Sequence, residues 1–335
     1  MSDGDNPFGF TAQQVLWLAR VLGVMITPPA KARLPDKKVI IGSAQKERAT
    51  KLFKLMTVKD RKRYEAVIKN TKSEDERDYV TKALGTSHSM DEIEAFAKKI
   101  EGKDADWLQN NLKLTGSTTG TGVKQQWSHS CNATTVQAVQ AELDPVYALK
   151  LHEENKDVSA ADDFDANKVN PKLAAEQKEM LETKYAGGVA GSAGFTGKAV
   201  ARKGKGGVGR WADDLLNARS ATTGLKYNTK FLDATYTVDK ATKDLDKALA
   251  RGNPVPIVIG DGGAAATAHY VLITQMEEGP PKEYTIHDPW DGITVNRSAE
   301  DLVNGKINLA GWNKMASMEL PAEEKLDINE DAIGY

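Results

Sequence analysis

The sequence has a single cysteine, Cys131, and only five histidines in 335 residues. One cysteine excludes an intrachain disulfide framework and is compatible with a reducing compartment. A net charge of −2 and an aromatic content of 7% give no indication of a nucleic-acid-binding protein. The apolar stretch from Val15 to Ile26 contains Arg20 and is too short to span a bilayer. The first residues lack the basic start of a secretory signal, so we expect a protein made in the cytoplasm without a signal peptide.

Two short motifs resemble ligand-binding loops but lack residues that those loops require. In Lys205–Trp211, Arg210 stands where a phosphate-binding loop needs lysine, and no apolar strand precedes the run. In Asp163–Asn167 the spacing is that of a calcium loop, but the next residue, Lys168, replaces the obligatory glycine. We therefore predict no nucleotide, no metal and no other cofactor.

Hydrophobic periodicity predicts an all-helical N-terminal domain over residues 1–115. Ser89 and Glu92 have the spacing of a capping box at the start of one of these helices. A linker rich in glycine, serine and threonine follows at 116–122, then a second domain at 123–318 and an acidic tail at 319–335. The predicted N-terminal helices are Thr11–Met25, Glu47–Met56, Val58–Asn70, Glu74–Leu84, Met90–Ile100 and Asp106–Leu112.

Cys131 stands at the predicted start of a helix. Polar residues precede it, and Val136, Val139 and Leu143 follow at helical spacing. The positive end of a helix dipole favours a thiolate, which is the reactive form of cysteine. The alternative is an inert cysteine packed as a small apolar side chain.

His269 and Asp288 are the predicted partners of this thiolate, because a cysteine nucleophile needs a base and the base needs an orienting group. Pro254–Gly260, His269–Thr274 and Tyr284–His287 are apolar, β-branched runs that predict three strands. Asp288 would end the strand beside the one that His269 opens. His129 and His287 remain as alternative bases, and between the nucleophile and the base a helix is predicted at Leu173–Tyr185. The Gly- and Ala-dense stretch that follows, 186–210, is either a lid over the cleft or an ordered loop.

Three blocks in the order Cys, His, Asp make the chain similar to the papain-like cysteine peptidases. In that superfamily a Gln lies six residues before the catalytic Cys, as Gln125 does before Cys131. The Cys stands in a Ser-Cys-x-Ala-x-Ser block, which Ser130–Thr135 matches with Thr in place of the last Ser. The family's His opens a strand, as in His269–Ile273, and its Asn or Asp is followed by Trp and Gly, as in Asp288–Gly292 with one extra residue before the Gly. The Asp-Pro-Trp form resembles the bacterial branch that includes bacteriocin-leader-processing peptidases and related toxin domains.

The resemblance implies an α+β fold in which a papain-like core, a nucleophile helix packed on an antiparallel sheet, follows the helical N-terminal domain. It implies that Cys131 attacks a carbonyl carbon, that His269 is the base and that Asp288 orients it. Gln125 and the Cys131 N–H would form the oxyanion hole, with Gln126 as the alternative to Gln125. Trp290 would shield the His–Asp hydrogen bond from water.

The function expected from this resemblance is a cysteine endopeptidase that cleaves a protein substrate, similar to bacterial toxins or effectors. A transglutaminase, deamidase or acyltransferase would use the same residues, and an inactive binding or delivery module is a further alternative. The helical domain would be regulatory, a delivery segment or a propeptide. A delivery system or an immunity protein would then be a partner, and the chain would act as an effector in another cell.

Overall fold

The described part of the chain combines helices, most of them in its N-terminal half, with an antiparallel sheet in its C-terminal half. In the computed structural model these described residues are 39–115, 122–125, 130–154, 171–185, 210–260 and 268–322. The six strands of the sheet are all paired antiparallel. The predicted α+β class is therefore confirmed.

The N-terminal helices bury an apolar face around Tyr79, Ile93 and Phe96, each at most 2% exposed. The capping box of Ser89 and Glu92 is present at the start of the helix Met90–Ile100, as predicted. This helix and the helix Val58–Asn70 begin and end at the predicted residues. The predicted helix at Thr11–Met25 lies outside the described residues. The helices are α1 (Ser43–Leu55), α2 (Val58–Asn70), α3 (Glu74–Gly85), α4 (Met90–Ile100) and α5 (Ala105–Asn111).

The C-terminal half forms one sheet in the order β1-β6-β2-β3-β4-β5. The three predicted strands correspond to β2, β3 and β4, and the predicted helix at Leu173–Tyr185 corresponds to α8. The helices here are α6 (Cys131–Leu143), α7 (Pro145–Glu154), α8 (Pro171–Tyr185), α9 (Arg210–Asn217), α10 (Ser220–Thr223), α11 (Val238–Ala250) and α12 (Ala299–Val303). The strands are β1 (Tyr227–Phe231), β2 (Val255–Gly260), β3 (Ala268–Glu277), β4 (Glu283–Asp288), β5 (Ile293–Ser298) and β6 (Lys314–Pro321).

Both faces of the central strands are buried, which explains their nearly continuous apolar sequences. Successive residues of β3 alternate between the faces: Tyr270 and Leu272 pack with α6, and Val271 and Ile273 pack on the opposite side with α11. The helix that begins at Cys131 therefore lies directly on the strand that begins near His269.

We call the described residues 39–115 the helical half and the described residues from 122 onward the sheet half. The two contact each other through buried polar groups as well as apolar ones. The Gln45 side-chain amide donates to the Leu143 carbonyl over 3.4 Å, and the His88 ring bonds Asp144 at 2.9 Å. Leu149 of α7 joins the apolar core of the N-terminal helices. The division into a 1–115 domain and a 123–318 domain stays a prediction, and these are the contacts that a separated fragment would lose.

The strand β6 extends further than the predicted domain boundary. Glu319 is fully buried and accepts a hydrogen bond of 2.7 Å from Thr229 of β1, and the strand continues to Pro321. The acidic tail predicted from residue 319 therefore begins with three residues that belong to the sheet. Acidic composition is a poor guide here because these three residues pair with Tyr227–Thr229 of β1. None of the described helices combines the length and apolar character needed to cross a membrane.

Candidate active site

Cys131 is the first residue of α6, as predicted. The Ser130 carbonyl closes the first turn by accepting from both the N–H and the hydroxyl of Thr134, each at 2.8 Å. The Ala133 N–H donates to the Asn132 side chain at 2.7 Å. Cys131 itself is partly exposed, while Ser130 and Asn132 beside it are buried. The sulfur thus lies at the positive end of a well-formed helix, where first-turn N–H groups have no partner within the helix itself.

His269 and Asp288 form a short hydrogen bond where the start of β3 lies beside the end of β4. Antiparallel pairing of β3 with β4 brings the start of one strand beside the end of the other, as the sequence predicted. The distance between His269 Nε2 and Asp288 Oδ1 is 2.6 Å, and both side chains are at most 1% exposed. The Trp290 N–H also donates to Asp288 Oδ1, at 2.9 Å, and holds the carboxylate in place.

The electrostatics of this pair favour two opposite charges. Burial alone would lower the pKa of His269, but the charge of Asp288, the hydrogen bond to it and the nearby Cys131 raise that pKa to about 10. Burial would raise the pKa of Asp288, but the charge of His269 and the bonds from His269 and Trp290 keep it below its usual value. The imidazole is therefore held protonated at neutral pH by a charged carboxylate.

The second ring nitrogen of His269, Nδ1, does not bond Asp288 and is available to the Cys131 sulfur. It makes no hydrogen bond of standard geometry among the described residues. Cys131 is nevertheless close enough to contribute to the raised pKa of His269. The structure therefore brings Cys131, His269 and Asp288 together in a row, with one ring nitrogen on the carboxylate and the other available to the thiol.

An aromatic residue that the sequence did not single out covers the imidazole. Trp312, in the connection before β6, lies with its ring centroid 5.2 Å from that of His269 and nearly parallel to it, at 21°. It is 1% exposed, so it keeps water from that face of the ring. Trp290 is buried too, and its backbone N–H donates to Asp288. Its predicted role as the aromatic shield of the His–Asp hydrogen bond stays a prediction. Sequence adjacency favoured Trp290, whereas Trp312 lies 43 residues after His269 and only the fold brings it there.

Gln125 lies in a short extended segment, 122–125, that runs beside the turn after Asp288. Its N–H donates to the Pro289 carbonyl at 2.8 Å, and the Gly122 N–H donates to the Gly292 carbonyl. Gln125 is fully buried. The backbone of Gln125, the predicted oxyanion-hole residue, is thus hydrogen-bonded to the residue that directly follows Asp288. Gln126, the alternative, lies outside the described residues.

The close approach of the two segments depends on Gly292. This residue has a positive φ of 68°, and a Cβ added there would lie 2.6 Å from the Gly122 carbonyl oxygen. A side chain at this position would therefore be both strained and in collision with the backbone that leads to Gln125.

His287, one of the two alternative bases, lies in surroundings that do not suit a catalytic base. His287 is fully buried, Nε2 lies 3.1 Å from the Val123 carbonyl oxygen, and burial lowers its pKa to about 4. It is a neutral ring that ties the 122–125 segment to β4. His129 and the Gly- and Ala-dense stretch 186–210, apart from Arg210, lie outside the described residues. So do the two motifs that resemble phosphate and calcium loops, except Arg210 and Trp211.

No group of three or more histidine, cysteine, aspartate or glutamate side chains in the described ranges could hold a metal ion. A thiol beside an imidazole that a carboxylate orients is the set of groups that nucleophilic cysteine chemistry uses. No protein-family model matches the chain, and no curated protein matches its sequence.

Proposed function

We propose that the protein is a cysteine endopeptidase with a papain-like core, and that Cys131, His269 and Asp288 are its catalytic residues. The observation that carries the proposal is the arrangement around one imidazole. Asp288 holds Nε2 at 2.6 Å, and Nδ1 is left toward a cysteine at a helix start. The order of the three blocks, which resembles that of papain-like peptidases, supports the same assignment.

In the acylation step, the Cys131 thiolate attacks the carbonyl carbon of a peptide bond, and a C–S bond forms as the carbonyl π electrons move to oxygen. The oxyanion accepts hydrogen bonds from the Cys131 N–H and, we propose, from the Gln125 side chain. When the tetrahedral intermediate collapses, the C–N bond breaks and His269 gives its proton to the leaving amine. The products of this step are a thioester on Cys131 and the C-terminal fragment of the substrate.

In the deacylation step, water attacks the thioester and His269 takes its proton. The C–S bond then breaks, which releases a carboxylic acid and restores the thiolate–imidazolium pair. Asp288 keeps the ring in one orientation and stabilises its charge in both steps. A different acceptor in place of water would make the same residues a transferase, and a glutamine side chain in place of the peptide bond would make them a deamidase.

Proteomic comparison of new N-termini tests the proposal. A lysate of candidate target cells is treated with the wild-type chain or with Cys131→Ala, and N-termini that appear only with the wild type are identified. New termini that depend on Cys131 establish proteolysis. Mass changes on glutamine without new termini favour the transglutaminase or deamidase alternative. The absence of any Cys131-dependent change in lysates of both bacterial and eukaryotic cells supports the inactive binding or delivery module.

The broader role of the chain is also a proposal. Its similarity to leader-processing peptidases and toxin domains favours an effector that acts in another cell, with a delivery system or an immunity protein as partner. The helical half would regulate, deliver or recruit. A fragment that starts near Gly116 separates these roles: higher activity than the full chain indicates a propeptide. Retained activity on a short peptide with loss on the natural substrate indicates recruitment.

A further inference from the structure

A cavity of about 690 Å³ lies away from Cys131, where the helical half meets the sheet half. One wall is the first part of α1, and the others come from the edge strand β1, its neighbour β6 and α11. Its volume is within the range of sites that bind small molecules, roughly 300–1,000 Å³. Because both halves line it, anything bound there contacts both.

The charges on the cavity walls do not balance. Four cationic and two anionic side chains line it: Arg48, Lys230, Lys247 and Arg251, against Glu47 and Asp244. Both carboxylates already have cationic neighbours, because Arg251 lies 3.5 Å from Glu47 and Lys247 lies 3.6 Å from Asp244. Within the described ranges, Arg48 and Lys230 have no carboxylate partner. The walls therefore carry two positive charges that no described acidic residue compensates.

Arg48 is the less exposed of these two cations, and its position is well defined. Its guanidinium donates to the Ser87 hydroxyl at 2.8 Å, while Nε is buried and has no hydrogen-bond partner. The guanidinium lies over Gly224, where any Cβ would overlap it. Burial lowers the pKa of Arg48, and no carboxylate acts to raise it. A guanidinium held in this way without an acid beside it has the fork geometry that suits a carboxylate or phosphate ligand.

A second, independent group on the same wall lacks a partner. Asn253 is only 4% exposed, and its side-chain oxygen, Oδ1, is buried without a hydrogen-bond partner among the described residues. A buried acceptor without a partner destabilises a folded protein unless a donor binds it. Oδ1 would accept a hydrogen bond from a hydroxyl group, either of a protonated phosphate or elsewhere on the ligand.

We propose that this cavity binds an oxyanion, either a phosphate or a carboxylate group, between Arg48 and Lys230, with Asn253 Oδ1 accepting a hydrogen bond from a hydroxyl group of the same ligand. The ligand joins α1 to β1 and so stabilises the helical half against the sheet half. Two sources can supply this chemistry. One is a free anionic small molecule. The other is the chain itself, because Glu323 and Glu324 directly follow Ala322, which lines the cavity.

Calorimetric titration of the full chain with inorganic phosphate at low ionic strength tests the proposal. Lys230→Gln is the key variant, because Lys230 is exposed and its loss leaves no buried group unpaired. Lys243→Gln is the matched control, since this exposed lysine of α11 does not line the cavity. We expect Lys230→Gln to weaken phosphate binding about tenfold, as loss of a charge-assisted hydrogen bond does, and Lys243→Gln to leave it unchanged. Arg48→Gln should weaken it further, but its folding must be checked because Arg48 is partly buried.

The double variant Glu323→Gln/Glu324→Gln distinguishes the sources. If wild type binds phosphate in a Lys230-dependent manner, the site takes a free oxyanion. If wild type binds none and the double variant does, again only with Lys230 present, the chain's own carboxylates occupy the site. The proposal is overturned if neither protein binds phosphate, or if Lys230→Gln binds it as tightly as wild type.

Discussion

The described part of the chain contains two histidine–aspartate pairs of similar geometry in different surroundings. The ring of His269 lies 2.6 Å from Asp288 and the ring of His88 lies 2.9 Å from Asp144, and each aspartate is 1% exposed. In both pairs burial would lower the pKa of the histidine, and in both the partner aspartate raises it. The pair alone therefore does not make a reactive site.

The difference lies at the other ring nitrogen. Nδ1 of His88 is 3.6 Å from the carboxylate of Glu92, so acids flank both sides of that ring. Nδ1 of His269 has no such acid and is left toward Cys131. Asp144 also caps α7 by accepting from the Val146 and Tyr147 N–H groups at 3.0 and 3.1 Å. The His88–Asp144 pair joins the helical half to the sheet half, whereas the His269–Asp288 pair places a polarised imidazole near the Cys131 thiol.

The largest expected difference between the pairs is in the reactivity of Cys131. His269→Ala should slow alkylation of Cys131 by iodoacetamide at pH 6 by about tenfold or more, because the thiolate loses its imidazolium partner. His88→Ala should leave the rate unchanged. Mass spectrometry of the native protein over time measures both rates. Equal rates in the two variants, or a wild-type rate no faster than that of the unfolded chain, would remove the basis for an activated nucleophile.

The two aspartates should separate catalysis from stability. Asp288→Asn should lower kcat/KM by about 10²–10⁴-fold, as loss of the orienting carboxylate does in other triads. It should also move the alkaline limb of activity to lower pH. The acid form of His269 is lost as pH rises through about 10 in wild type, and without the Asp288 charge that loss comes earlier.

Asp144→Asn is the matched variant. It should keep the pH profile and kcat/KM but lower the free energy of unfolding by about 0.5–2 kcal/mol, because His88 loses its charged partner while asparagine can still cap α7. Chemical denaturation and a pH–rate profile of both variants provide the measurements. A shifted alkaline limb in Asp144→Asn, or an unshifted one in Asp288→Asn, would contradict this assignment of roles.

Gln125 tests whether the catalytic pair works together with an oxyanion hole. Gln125→Ala should lower the catalytic rate by about 10–10³-fold with little change in KM, because such a donor acts mainly on the transition state. Gln126→Ala is the control at the adjacent position. A large loss in Gln126→Ala with none in Gln125→Ala would reverse the assignment. The thermal midpoint of each variant shows whether the fold is kept.

The smallest effect concerns the stability that His88 provides at different pH values. Its pKa is higher in the folded chain than in the unfolded one, so its stabilising contribution is full below about pH 6.5 and is lost as pH rises through the folded value. His88→Ala should therefore lower Tm by roughly 2 °C more at pH 5.5 than at pH 9. His152→Ala should show the opposite trend, because burial lowers the pKa of His152. Calorimetric scans at both pH values decide, and a pH-independent difference for His88→Ala would contradict the prediction.

Much of the site could be predicted because its residues stand at positions with strong local signals. Cys131 begins a helix, His269 lies at the start of an apolar strand and Asp288 ends the next one, and all three placements are confirmed. The order of the strands was not predicted. The strand β6 contains methionine, alanine, serine and glutamate, which have weak strand preference, and it is a strand because β1 and β2 pair with it on both sides.

The contacts that the sequence analysis missed join residues far apart in the chain. Trp312 reaches His269, and His88 reaches Asp144, through tertiary packing alone. A tryptophan or a histidine in isolation has no local pattern that names its partner. For the same reason the sequence alone does not show that the charge of Arg48 is uncompensated, because this depends on which residues the fold brings to the cavity between α1 and β1.

Gly292 also offers a practical route to a silenced protein. Replacement by alanine would leave Cys131, His269 and Asp288 chemically intact, yet the new methyl group would push on the Gly122 carbonyl and displace the segment that carries Gln125. Such a variant would keep the thiol available to covalent probes while it turns over poorly. Gly292→Ala would therefore be a form for production and co-crystallisation that preserves Cys131, His269 and Asp288.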